Sequence, residues 1–259
     1  MTDWFLRRSP RPGASIRLFA FPYAGAGASV FSRWFEGVHR DIELLALQPP
    51  GRGARYGEPP VTSMAVVADR IAGAMQPYLD RPYALFGHSI GALTAFEVAR
   101  ALRRRGMQAP LRLFASAKRA PHLQPLGPDV HRLPDEAFMQ AIAAYEGMPP
   151  EVLAEPELLA VVTPILRSDF KMSESYRHQS EPRLDCDFSL FGSVRDPFVP
   201  EPDLLAWREL TTASVACRMF APGHFFIDTH PHEVISAVNE TLCPAVTVRS
   251  GTPGVQSAR

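Results

Sequence analysis

The chain has 259 residues, and 27 Lys and Arg set against 27 Asp and Glu leave no formal net charge. That balance excludes the basic footprint of a general nucleic-acid binder, and 46% apolar with 21% charged residues excludes the disordered class. Cys186, Cys217 and Cys243 are an odd, widely spaced set that predicts neither a disulfide framework nor a zinc site, and MTDWFLRRSPRPGAS carries no apolar run, so a cytoplasmic chain without a membrane-spanning segment is expected.

Short apolar runs recur in chain order: IRLFAFP (16–22), IELLALQ (42–48), YALFGHS (83–89), LRLFASA (111–117), DCDFSLFG (185–192) and SVACRMFAP (214–222). Several are apolar at nearly every position, as strands buried on both faces of a parallel sheet must be. Helix-period segments lie between them. Residues 63–79 place Val66, Val67, Ile71, Met75 and Leu79 on one stripe, and residues 91–105 turn Leu93, Phe96, Val98, Ala101 and Leu102 inward. The second segment ends in Arg103, Arg104 and Arg105 followed by Gly106, a basic last turn before a residue suited to a left-handed cap. Alternating strand and helix predicts one α/β domain over residues 1–243, with a mostly parallel sheet and helices on both faces.

The alternation breaks twice. From about 120 to 180 no strand is evident, but helices are expected near 134–146, 150–162 and 164–178, an insertion of the kind that forms an active-site lid. Residues 244–259 are small, polar and rich in Gly and Pro, and are expected to be a disordered tail. The 26 prolines, about 10% and roughly twice ordinary usage, fall partly at strand ends (Pro22, Pro50, Pro197, Pro222). Others (Pro134, Pro149, Pro150, Pro156, Pro164) are expected to separate the lid helices.

Gly87-His88-Ser89-Ile90-Gly91 is a G-x-S-x-G pentapeptide between an apolar strand and a helix, the setting of a nucleophile elbow. A serine nucleophile needs a base and an orienting acid, which follow it in the order acid, then His, at later strand ends. His224 stands directly after a strand, whereas His230 and His232 open the final helix. Asp196 follows the preceding strand and precedes Pro197; Asp203 is the weaker alternative, and Asp185 and Asp187 lie at the wrong end. His88 is expected to pack behind the elbow. The loop Phe21-Pro22-Tyr23-Ala24-Gly25-Ala26-Gly27-Ala28 lets backbone approach a ligand, so the N–H groups of Ala24 and Ile90 are the expected oxyanion donors. No phosphate-binding motif is present, and the His230/His232 pair lacks a third metal ligand.

FPYAGAGASVFSRW, LQPPGRGARYGEPP, YALFGHSIGALTAFEVARAL, DPFV and PGHFF, with LPDEAF, GMPPEVL and LRSDFKMSESY in the lid region, resemble the type II thioesterases that accompany polyketide synthases and nonribosomal peptide synthetases, over about residues 14–242. The resemblance implies an α/β-hydrolase fold with a helical lid. It also implies a Ser89-Asp196-His224 triad and an Ala24/Ile90 hole that hydrolyse acyl thioesters on carrier proteins. The phosphopantetheine arm then belongs to the substrate, and no cofactor of the chain's own is expected. An acyl or peptidyl carrier protein is the implied partner of a monomer, with neither nucleic acid nor membrane. Tyr23 stands where that family often has His, Ala26 where Gly is frequent, and APGHFF has one Gly where two are usual; these bear on acyl preference. Tyr23, Phe170 and Met172 are the substrate and lid candidates, and Arg103–Arg105 a candidate docking patch beside the more ordinary reading of a solvated helix end. A small-molecule carboxylesterase or an acyltransferase would use the same triad, and a non-catalytic hydrolase-like binding protein would not preserve it.

Overall fold

The computed structural model describes residues 4–124, 127–143 and 155–244. Within them seven strands form one sheet: β1 (Phe5–Leu6), β2 (Ile16–Phe21), β3 (Ile42–Leu47), β4 (Tyr83–His88), β5 (Arg112–Ser116), β6 (Asp187–Ser193) and β7 (Val215–Phe220). The first four described helices are α1 (Trp34–Gly37), α2 (Met64–Met75), α3 (Ile90–Arg104) and α4 (Asp135–Ala143). They are followed by α5 (Pro156–Glu174), α6 (Glu201–Leu205), α7 (Phe226–Thr229) and α8 (Pro231–Leu242).

The sheet order is β1-β3-β2-β4-β5-β6-β7, with β1 antiparallel and every other pairing parallel. From β2 the chain moves outward to β3, then returns to the opposite side of β2 as β4. Connections from the adjacent ends of β2 and β4 therefore leave in opposite directions, and the crevice between them is where open α/β sheets hold ligands. Every residue of β3 and β4 is buried, so alternation is absent and the strands read as continuous apolar runs. One sheet face packs on α2 and α3 and the other on α1, α7 and α8, each through its own apolar cluster.

Local signals explain the helix ends. The Ser63 side chain accepts the Val66 N–H at 3.5 Å and opens α2. Beyond α3, Gly106 takes φ +67° and the Met107 N–H returns 3.0 Å to the Leu102 carbonyl, closing the helix as the Arg-Gly pattern predicts. Three points depart from the expectations. β1 went unforeseen, because two residues show no period; it is fixed by register with β3 and by Phe5 meeting the Phe19 ring edge at 5.1 Å. Val66 is 43% exposed, because it sits about one residue's turn away from the buried stripe of Met64, Val67, Ala68, Ile71 and Met75. Pro164 does not separate two helices but lies inside α5. Proline removes one N–H there, yet buried Ile165, Leu166, Asp169 and Met172 hold the face of the helix C-terminal to it against the body. Pro149, Pro150, GMPPEVL and most of the first half of the 150–162 expectation lie outside the described residues, as does the tail beyond residue 244.

The insertion packs differently from the body. Its apolar cluster is small, with Phe138, Ile142 and Leu166 buried and Phe170 meeting the Phe138 ring at 5.8 Å. Polar latches do the rest. Arg167 donates to the carbonyls of His131 (2.5 Å) and Leu133 (2.8 Å) and pairs with Asp135. Glu174 accepts the backbone N–H groups of Val130 and His131. Among the described residues no helix is long and apolar enough to cross a membrane.

Candidate active site

The end of β4 makes the turn that the pentapeptide requires. Ser89 has φ +55° and ψ −123°, a conformation costly for any residue with a Cβ and held only where its surroundings impose it. They do so here through the Ser89 N–H, which donates 2.8 Å to the Ser116 carbonyl at the end of β5. The flanking glycines are steric necessities. A Cβ on Gly87 would strike the Gly91 carbonyl, and one on Gly91 would strike the Phe21 carbonyl of β2. Ile90 then opens α3, whose first N–H groups have no intrahelical partner and face developing negative charge favourably.

Asp196 and His224 meet across the ends of β6 and β7. His224 Nδ1 lies 2.7 Å from Asp196 Oδ2, and both residues are buried. The second oxygen, Oδ1, accepts the Phe198 N–H at 2.9 Å, so the carboxylate is fixed on both sides. A carboxylate can only accept, which puts the proton of neutral His224 on Nδ1 and the lone pair on Nε2. Asp203 is elsewhere, 2.5 Å from Arg119 Nε. His230 caps α8 and His232 is exposed on its first turn.

His88 has a larger structural part than its expected packing role. It is fully buried, with Nε2 3.0 Å from the His224 carbonyl and Nδ1 2.9 Å from Ser116 Oγ. Because a carbonyl accepts only, Nε2 carries the proton and Nδ1 accepts from the serine hydroxyl. Burial, and then the neighbouring His224, hold its pKa well below the ordinary imidazole range. Ser116 thus holds the Ser89 backbone directly and the His224 backbone through a neutral ring.

A cavity of about 490 Å³ opens beside these groups. Ala24, Ser89, Ile90 and His224 line one part, and the segment after β5 and the inner face of α5, including Phe170, line another.

The Thioesterase domain family matches residues 16–242. The chain belongs to the thioesterase family. It is a hydrolase of thioester bonds. It is similar to the gramicidin S biosynthesis protein GrsT of Aneurinibacillus migulanus, 36% identical over 93% of this chain and 94% of that one. Among solved structures it is similar to the RedJ thioesterase of the prodiginine pathway of Streptomyces coelicolor, with a TM-score of 0.84 at 36% identity, covering 89% and 91% of the two chains. The type II thioesterase BorB of the borrelidin cluster also superposes with a TM-score of 0.84, at 30% identity over 92% of this chain and 97% of that one. These matches bear out the resemblance and the α/β-hydrolase fold drawn from the sequence.

In this thioesterase the loop after β2 is clamped by α5. Asp169 of α5 accepts the Gly25 N–H at 2.8 Å through Oδ2, and the same carboxylate takes two bonds from Arg52, at 2.6 and 2.9 Å. Arg52 also donates to the Ala26 carbonyl at 3.2 Å. Both charged side chains are buried, so α5 and the turn after β3 are joined by an ion pair to which the Ala24-bearing loop is hydrogen-bonded. Neither residue was singled out from the sequence; 117 positions separate them.

The remaining candidates divide. Phe170 lines the cavity. Met172 does not; it turns into the main core beneath α5. Tyr23 is likewise outside the cavity lining. Its hydroxyl donates 2.7 Å to Asp228 and its ring edge meets Phe225 at 4.9 Å, so it braces the segment after His224. Burial and then Asp228 push the Tyr23 hydroxyl pKa far up, keeping it a neutral donor. The arginines at the end of α3 are paired rather than open: Arg103 and Arg104 share Glu181 at 2.8 and 2.7 Å, and Arg105 meets Asp69 at 2.6 Å. Asp129, His131 and Glu174 gather three ligand-type atoms within 4.8 Å, yet the Glu174 oxygens already accept two backbone N–H groups and face His131 Nδ1 at 2.5 Å.

Proposed function

We propose that the thioesterase releases acyl groups, aberrant or stalled, from the phosphopantetheine arm of carrier proteins in polyketide or nonribosomal peptide biosynthesis. The observation that carries the mechanism is the 2.7 Å His224–Asp196 contact opening on the cavity that also holds Ser89 at its elbow. The pathway reading is supported by the names of the similar proteins, a gramicidin S biosynthesis protein and a type II thioesterase of the borrelidin cluster among them.

In this reading His224 Nε2 takes the Ser89 proton as Oγ attacks the thioester carbonyl. Asp196 holds the ring and stabilises the imidazolium that forms. The N–H groups of Ile90 and Ala24 receive the oxyanion, each worth on the order of 10²–10³ in rate. The tetrahedral adduct expels the pantetheine thiol, which leaves with the proton from His224. Water, deprotonated by the same nitrogen, then cleaves the acyl-enzyme to free acid. The helices of the insertion act as a lid over the acyl group, on one catalytic domain that needs no cofactor of its own.

The test is mass spectrometry of acyl-carrier protein incubated with enzyme, beside a nitrophenyl ester of the same acid. Free acid should leave the carrier much faster than the ester is cleaved. Ser89→Ala should abolish both turnover and labelling by a fluorophosphonate; persistence of either removes Ser89 as nucleophile.

A further inference from the structure

Lys118 follows the end of β5 by two residues and lines the cavity shared by Ser89 and His224. It is half-buried, with part of its surface open to that cavity. Its backbone is fixed, since its carbonyl accepts the Trp207 indole N–H at 2.7 Å. The ammonium has three N–H donors, and one reaches Ser173 Oγ of α5 at 3.0 Å. Among the described residues no carboxylate lies within ion-pair distance of it.

The carboxylates around the cavity are engaged elsewhere. Asp169 is held by Arg52 and the Gly25 N–H. Asp129 pairs with Arg132 at 3.3 Å. Glu174, the nearest in effect, is turned to the N–H groups of Val130 and His131 and to the His131 ring. Of the other cations on the wall, Arg119 is paired with Asp203, and exposed Arg177 is tied to the carbonyls of Glu174 and Tyr176. Burial above all, then Arg119, lowers the Lys118 pKa to about 8, the direction expected of an ammonium short of counter-charge. Removing a charge from water costs several kcal/mol unless a partner replaces the lost hydration. A hydroxyl supplies a small part of that; a carboxylate supplies it fully and with charge-assisted bonds.

We propose that Lys118, with Ser173, is a carboxylate-binding subsite within the acyl cavity, and that the enzyme favours acyl groups ending in a carboxylate over neutral ones of the same length. This rests on the thioesterase reading and names a substrate class for it. The ammonium donates to the substrate carboxylate while Ser173 keeps its bond to Nζ, and no covalent step involves either residue. The phosphate of the pantetheine arm is the other anion available, but it sits at the far end of an extended arm whose thiol end is at Ser89.

The experiment compares succinyl with butyryl thioesters on N-acetylcysteamine, which lacks phosphate, and on phosphopantetheine. Wild type should favour succinyl. Lys118→Met should lower the succinyl-to-butyryl ratio of kcat/KM by about ten- to a hundredfold on both thiols, and Lys118→Arg should retain the preference. An unchanged ratio in Lys118→Met overturns the proposal. So does a loss shared equally by both acyl groups and confined to phosphopantetheine, which would assign the lysine to the arm. Binding of a non-hydrolysable succinyl amide to Ser89→Ala, weakened by adding Lys118→Met while the butyryl amide is unaffected, reads the subsite without turnover. Equal weakening of both amides overturns it. Ser89-dependent butyryl hydrolysis reports on the thioesterase reading separately, and a thermal melt establishes that each variant is folded.

Discussion

The two sides of the cavity are held in place by different physics. On the sheet side, Ser89, His88 and His224 stand on strand ends set in a dense apolar body, with Phe86, Phe114, Phe191, Phe220 and Phe226 buried around them. On the lid side, α4 and α5 share a small apolar cluster, and α5 is tied through Asp169 to Arg52 after β3 and to the Gly25 N–H after β2. Apolar packing is indifferent to protonation and fixes a backbone broadly. An ion pair is exacting in geometry, and removing one partner leaves the other charge stranded. The chemistry is thus placed by packing, and the cover is registered to it by charge.

The largest effect belongs to the sheet side. Asp196→Asn should lower kcat about 10⁴-fold with the fold retained, since the amide can donate to Nδ1 and reverse the tautomer. Acyl release followed by mass spectrometry measures it, and a near-normal rate would shift the acid's role elsewhere. Next comes Asp169→Ala on the lid side. Stranding Arg52 should cost about 3–5 kcal/mol in denaturant unfolding and also slow turnover, because the Gly25 N–H and the loop carrying Ala24 lose their anchor. A stability loss with kcat unchanged would uncouple the lid from the oxyanion loop.

A pH effect sharpens the sheet side. His88 is held neutral when folded, below an unfolded value near ~6.5, so the unfolded chain binds the extra proton as pH falls. Stability should be complete above that value and decline by up to about 1.4 kcal/mol per pH unit beneath it, and His88→Gln should show a shallower decline between neutral and mildly acidic pH. Parallel thermal melts of the two proteins test this, and identical slopes would contradict it. The smallest change is expected outside both regions. Arg104, paired with Glu181, should tolerate replacement by Gln with less than about a twofold change in turnover of carrier-bound substrate. A large, salt-sensitive loss would restore the docking patch.

What the sequence disclosed follows the same division. Strands buried on both faces announce themselves by unbroken apolar runs, and the elbow by glycines that its backbone contacts demand. The meeting of Asp196 and His224 was legible because strand order dictates which side chains emerge at neighbouring strand ends. Contacts across the lid were not. Asp169 and Arg52 carry no local pattern, and their pairing exists only once α5 lies over the loop. Met172 and Phe170, two positions apart on one helix, looked equivalent until the face of α5 was fixed. Pro164 read as a break because propensity is local, whereas tertiary burial of the following turns decides the helix. His88 and Lys118 are ordinary polar residues in sequence, and only burial makes them costly enough to need partners.

The end of β5 carries an unusual concentration of duties. Ser116 holds the Ser89 backbone through its carbonyl and His88 through its hydroxyl, and Lys118 projects from the same segment two residues on, past the left-handed Ala117. Substitution there would disturb Ser89, His88 and the cavity wall together. On the facing surface of α5, Phe170 lines the cavity and Ser173 accepts from Lys118. For retargeting the enzyme to new acyl chains, the helix is the evolvable wall and the strand end the invariant one.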